Sequence, residues 1–174
     1  IAGGGVQYSR AVPELTQLAE MCQIPVVETI AGRANLTADH DLNIGPIGVT
    51  GSNSANAIAE DADVIISVGS RLQDFTTGSW TAFAKDAQII GVNAARHDAM
   101  KHLSLPVVGD AKRSLQALIS GLEDYKSDAS WTSRAQAERV KWDAYVAENV
   151  KPGNRPNSYA QAIGNVRTRE LKPT

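Results

Sequence analysis

Three loop segments gather the side chains best suited to chemistry. The first, Gly69 to Trp80, holds Arg71, Asp74, Thr76, Thr77 and Ser79 among glycines, directly after the β-branched run Val64 to Val68. A guanidinium at Arg71 can fork onto a phosphate or carboxylate, or it can pair with Asp74 and simply stiffen the loop. The second, Gly48 to Asn56, sets Gly51, Ser52 and Asn53 beside a helix expected to begin near Ser54. Hydroxyl and amide groups at a helix amino terminus suit an oxygen-rich ligand or a neighbouring domain, and the same groups serve equally as an N-cap. The third, Gly3-Gly4-Gly5, would let backbone amides approach a phosphate. Its dinucleotide fingerprint is incomplete, because Tyr8 stands at the third glycine position and Gln23 near the place of the ribose-binding acid. A tight strand-to-helix turn is the better account.

Other reactive residue types fall in unpromising patterns. His40 lies between Asp39 and Asp41, and His97 and His102 miss the i,i+4 spacing that puts two ligands on one helix face, so no metal site is expected. Cys22 shares an apolar helix face with Leu15 and Leu18 and reads as a small hydrophobe. No Gly-x-Ser-x-Gly elbow or other nucleophile with an adjacent base occurs, so no catalytic residue is expected in this chain.

The elements that must position these loops alternate between two periods. Ile24 to Val27, Asp63 to Val68, Gln88 to Val92 and Leu105 to Val108 read as buried parallel strands. Leu15, Leu18, Ala19 and Cys22 repeat at helical spacing, as do Ala111, Leu115, Leu118 and Ile119. The expected fold is α/β, a doubly wound parallel sheet of about six strands with helices on both faces. In such sheets ligands sit at the carboxyl ends of strands, here the loops Gly3 to Ser9, Thr29 to Asn35, Gly69 to Trp80 and Asn93 to His97.

Ile1-Ala2 runs straight into the glycine turn, so it is read as the end of a first strand whose start is missing. Residues 1–126 then form the central α/β domain and 127–150 one long helix carrying Trp131, Trp142 and Tyr145. Residues 151–156, with two prolines and a glycine, are a linker, and 157–174 are the first helix of a further, absent domain.

Composition narrows the partners. The 174 residues are 43% hydrophobic, enough for a real core. A net charge of -2 gives no electrostatic footprint for nucleic acid, and the basic tail Lys151, Arg155, Arg167, Arg169 and Lys172 reads as a solvated helix face. The single cysteine excludes an internal disulfide and fits a cytoplasmic location. No apolar run is long enough for a membrane helix, and no signal peptide is apparent.

Gly48 through Leu122 resembles the middle domain of the pyruvate-oxidase and acetolactate-synthase family of thiamine-diphosphate enzymes. The resemblance rests on the glycine-rich loop before Ala55-Asn56-Ala57, on Asp61-Ala62-Asp63-Val64-Ile65-Ile66-Ser67-Val68-Gly69-Ser70-Arg71-Leu72-Gln73-Asp74, and on Pro106-Val107-Val108-Gly109-Asp110-Ala111-Lys112. Val27 to Arg33, Asn43 to Gly51 and Asp74 to Ser79 look closest to the branch that hydrolyses a cyclic polyhydroxy diketone during inositol breakdown. The resemblance implies thiamine diphosphate and Mg2+ in a full-length enzyme, held by domains outside this chain, and a homo-oligomer. It also implies that this domain alone is inert, its Gly51, Ser52, Asn53, Arg71, Asp74, Thr76, Thr77 and Ser79 facing the active site. Some relatives bind FAD here through an arginine placed like Arg71, and Asp110 also matches. The strand Ile89 to Ala95 lacks their aspartates, so FAD is not expected. Two alternatives are a free-standing FAD- or NAD-type nucleotide-binding module and an acetolactate-synthase-like carboligase domain.

Overall fold

The computed structural model describes residues 1–151 and 158–170. They fall into two compact units, Ile1–Arg139 and Val140–Thr174. Within the first, the β-branched runs form strands β1 (Val26–Glu28), β2 (Asn43–Pro46), β3 (Val64–Val68), β4 (Gln88–Asn93) and β5 (Leu105–Val108). All their pairings are parallel. Ala2 bridges Glu28 on one side and Val68 on the other, also parallel. The sheet therefore has six positions in the order β2, β1, Ile1-Ala2, β3, β4, β5, and its growth reverses direction at Ala2.

Helices cover both faces, as expected. These are α1 (Gly4–Tyr8), α2 (Val12–Cys22), α3 (Asn53–Asp61), α4 (Asp74–Thr77), α5 (Arg96–Ala99), α6 (Ala111–Gly121) and α7 (Ala129–Asn149). Side-chain alternation along each strand divides the core in two. Val26, Val68 and Val92 pack with Leu15, Leu18, Cys22 and Leu115 from α2 and α6. Val27, Ile44 and Ile65 pack on the other face with Ile58 of α3, Leu72, Phe83 and Ala135 of α7.

Three differences from the sequence reading have physical causes. β2 carries little strand signal, because only Ile44 in Asn43-Ile44-Gly45-Pro46 favours a strand; pairing with β1 and packing against α3 override local propensity. Strand β1 starts at Val26 rather than Ile24. β5 is not buried: it closes one edge of the sheet, leaving Leu105 65% exposed and Val108 52% exposed.

In the second unit, α8 (Tyr159–Glu170) exposes Tyr159, Ile163 and Val166, three and four residues apart on one face. Trp142 stacks on Tyr145. Of the expected linker at 151–156, only Lys151 lies within the described residues.

Candidate functional site

The loop after β2 is built by capping. Ser52 Oγ accepts from the Ala55 amide at 3.1 Å and donates to the Pro46 carbonyl, and Ser54 Oγ donates to the Ile44 carbonyl. Asn56 grips both backbone groups of Gly48, its Oδ1 accepting from the amide at 2.9 Å and its Nδ2 donating to the carbonyl at 3.0 Å. The polar side chains that suggested a ligand thus fold the loop itself. Ser52 is fully buried, Gly51 half-buried, and Asn53 exposed.

The loop after β3 crosses to meet it. The Val49 amide donates to the Phe75 carbonyl at 2.8 Å. Gly48, at φ +113°, lies so close to Phe75 that any side chain there would strike the carbonyl. The two sequence-predicted segments are therefore brought together at one end of the sheet. Thr77 is buried, its hydroxyl donating to the Gln73 carbonyl and accepting from the Trp80 amide, so it holds the short helix α4 in place. Arg71, Asp74 and Ser79 are exposed and Thr76 is half-buried. Ser52 and Thr77 face inward, and turning either outward would break bonds inside its own loop.

Arg71 makes no ion pair with Asp74 among the described residues, so the stiffening salt bridge is not formed. The loop is pinned instead through its backbone. Lys101 Nζ donates to the Arg71 carbonyl at 2.9 Å while pairing with Asp98 at 2.8 Å. The Asn93 amide group donates to the Ser70 carbonyl at 2.9 Å. Trp80 stacks on His102, and burial pushes that imidazole below its ordinary range; Lys101 adds to the effect and Asp74 opposes it. Leu72, Ser79, Trp80, His102 and Leu103 all hold positive φ, a concentration of backbone strain in non-glycine residues.

The glycine turn after Ala2 is closed against the backbone at the end of β3. Gly3 and Gly5 donate their amides to the carbonyls of Val68 and Gly69 at 2.8 and 3.0 Å. Asp110 caps α6, accepting from the Arg113 amide at 3.0 Å, and this bond together with one from Ser9 holds its carboxyl below the usual range. No cluster of three or more His, Cys, Asp or Glu suited to a metal occurs among the described residues. The engaged Gly3 and Gly5 amides are not free to hold a phosphate.

A buried polar group outside the residues expected from sequence lies under this edge. Glu28 ends β1 with only 2% of its surface exposed, and its Oε1 accepts from the Leu36 amide at 3.0 Å. Asn35, also buried, donates to the Gly3 carbonyl at 3.1 Å, while its own Oδ1 has no hydrogen-bond partner among the described residues. The available signal was a carboxylate directly following the apolar Val26-Val27 in a strand. Above this layer Ile30, Val49 and Phe75 are exposed at the carboxyl ends of three strands.

These features define a class: a doubly wound α/β domain with polar and apolar groups gathered on its carboxyl-edge loops and a glycine turn sealed by backbone. Residues 1–118 match the family described as thiamine pyrophosphate enzyme, central domain, and the chain belongs to that family. It is 40% identical over 148 residues to 3D-(3,5/4)-trihydroxycyclohexane-1,2-dione hydrolase 2 of Bacillus cereus, covering 84% of this chain and 23% of that protein. Identity to 3D-(3,5/4)-trihydroxycyclohexane-1,2-dione hydrolase from Shouchella clausii is 43% over 143 residues, 82% of this chain and 22% of the relative. For the Geobacillus thermodenitrificans enzyme it is 45% over 159 residues, 87% and 25%. The chain thus spans about a quarter or less of the length of these curated relatives.

Proposed function

We propose that this chain is the middle domain of a thiamine-diphosphate-dependent hydrolase that opens trihydroxycyclohexane-1,2-dione, with the chemistry supplied by parts of the polypeptide outside it. The observation that carries the reading is the 40–45% identity to hydrolases of that name over more than four fifths of the chain. Thiamine diphosphate, when bound, supplies a carbon nucleophile and an electron sink for cleaving a bond next to a ketone. The residues of this chain have a different task. The Gly51 to Asn53 and Arg71 to Ser79 loops form one wall of the substrate space, Asn53 and Arg71 offering hydrogen bonds to an oxygen-rich ring. Ile30, Val49 and Phe75 meet the cofactor-binding domains and exclude water.

The engagement of the Gly3 and Gly5 amides supports a domain that holds neither FAD nor the thiamine cofactor. Mg2+ belongs with the cofactor in the other domains. A homo-oligomer and a cytoplasmic location complete the reading, the buried free thiol of Cys22 fitting a reducing compartment.

The test compares two purified proteins, this chain and the polypeptide that contains it with its flanking domains, each given thiamine diphosphate, Mg2+ and the cyclic dione. Ring opening by the longer protein alone is expected. Turnover by the chain itself, or tight calorimetric binding of FAD or ADP to it, would overturn the proposal.

A further inference from the structure

Gly3, Gly4 and Gly5 bring two arginine-bearing loops close together. A side chain on Gly4 would crowd the Ala31 carbonyl, and one on Gly3 or Gly5 would strike Gly69. The glycine turn is therefore wedged between the short turn Ile30–Gly32 after β1 and the turn after β3. With no side chain on any of its three residues, it is a bare floor between them. Arg33 follows the first turn directly, and Arg71 stands two residues past Gly69. Neighbouring strands lie about 4.8 Å apart, so β1 and β3, each one strand from Ala2, end about 10 Å apart. That gap is within the combined reach of two arginine side chains.

Both loops are fixed through their backbones while their guanidinium groups stay free. Gln7 Nε2 donates to the Arg33 carbonyl at 2.7 Å, and Lys101 Nζ to the Arg71 carbonyl at 2.9 Å. Both arginines are exposed, and neither side chain makes a hydrogen bond or ion pair among the described residues. Residues 3–10, 30–35 and 69–79 together hold Arg10, Arg33 and Arg71 against Asp74 alone, in a chain of net charge -2. The local excess is cationic. A free guanidinium matches a carboxylate through two parallel N–H donors.

Hydrolysis of a cyclic 1,2-dione creates such a carboxylate. The bond between the two carbonyl carbons breaks; the hydroxyl of water goes to one carbon, giving an acid, and a hydrogen goes to the other, giving an aldehyde. The hydroxylated ring carries no charge, whereas the acid releases a proton at neutral pH. We propose that Arg33 and Arg71 together hold the carboxylate of the ring-opened product over the Gly3-Gly4-Gly5 floor, so that this wall separates product from substrate by charge. The assignment rests on the proposed ring opening and adds to it a second arginine and the charged group that the pair takes.

The test uses the polypeptide with its flanking domains and two probes, the ring-opened acid and its uncharged primary amide. Calorimetry measures the binding of each, with thiamine diphosphate and Mg2+ present and the dione absent, to the unaltered protein and to Arg33→Ala, Arg33→Lys and Arg71→Ala. The acid is expected to bind about tenfold or more tightly than the amide. Each alanine variant should weaken the acid by about fivefold or more and leave the amide within about twofold, and Arg33→Lys should recover part of the loss because it keeps the charge without the fork. Melting temperatures should be unchanged, since neither side chain is bonded within the fold. Equal affinity for acid and amide, or an acid affinity unmoved by Arg33→Ala, would overturn the proposal. Ring opening is assayed separately: its absence strikes the proposed reaction, while the preference for charge is still read from binding.

Discussion

The amide of Gly5 donates to the carbonyl of Gly69 across 3.0 Å, and the two glycines meet backbone to backbone. Gly69 holds φ +62°, and a side chain there would collide with the Gly5 backbone. The contact locks the turn after Ala2 to the turn after β3, at the point where the sheet reverses its growth. Gly69→Ala adds a strained backbone to a clash with main-chain atoms, neither of which a flexible side chain can relieve. The expected loss is about 3 kcal/mol or more in urea unfolding. A loss below about 1 kcal/mol would mean that the turns separate easily and that the Gly5 amide remains available to a ligand.

Ser52 and Asn53 are neighbours with opposite expected effects. Ser52 caps α3 from inside the fold, so Ser52→Ala should cost about 1 kcal/mol of stability or somewhat more, since its bonds to Pro46 and Ser54 are lost as well. Asn53 is exposed at the same loop. In the polypeptide carrying the flanking domains, Asn53→Ala and Arg71→Ala should each lower kcat/KM for ring opening by about fivefold or more, with melting temperature nearly unchanged. Unchanged kinetics in both variants would remove this edge from the substrate space.

Much of the scaffold was legible because parallel strands covered on both faces read as largely apolar runs, as Val64 to Val68 does with Ser67 its one polar residue. β2 was hidden because Gly45 and Pro46 carry no strand signal; its place is set by parallel pairing with β1. The candidate loops were found by residue type, yet type does not tell which way a hydroxyl points. Ser52 and Thr77 turned inward, a choice made by carbonyls at Pro46 and Gln73 that accept from them across their own turns. The meeting of Gly48 with Phe75 was out of reach, since it depends on where two separate strands end. Glu28 escaped notice for the opposite reason: burial, not the residue itself, makes a carboxylate there unusual.

The joint between α2 and α6 offers a test of the core on which this edge rests. Leu115 is fully buried among Leu15, Leu18, Val68 and Val92. Leu115→Ala removes a side chain that rigid strands on one side cannot replace, so a cost of about 3 kcal/mol is expected from thermal or urea unfolding. Leu122→Ala, at a partly buried position on the rim of the same cluster, should cost distinctly less. Equal losses would show that the packing is looser than the burial implies.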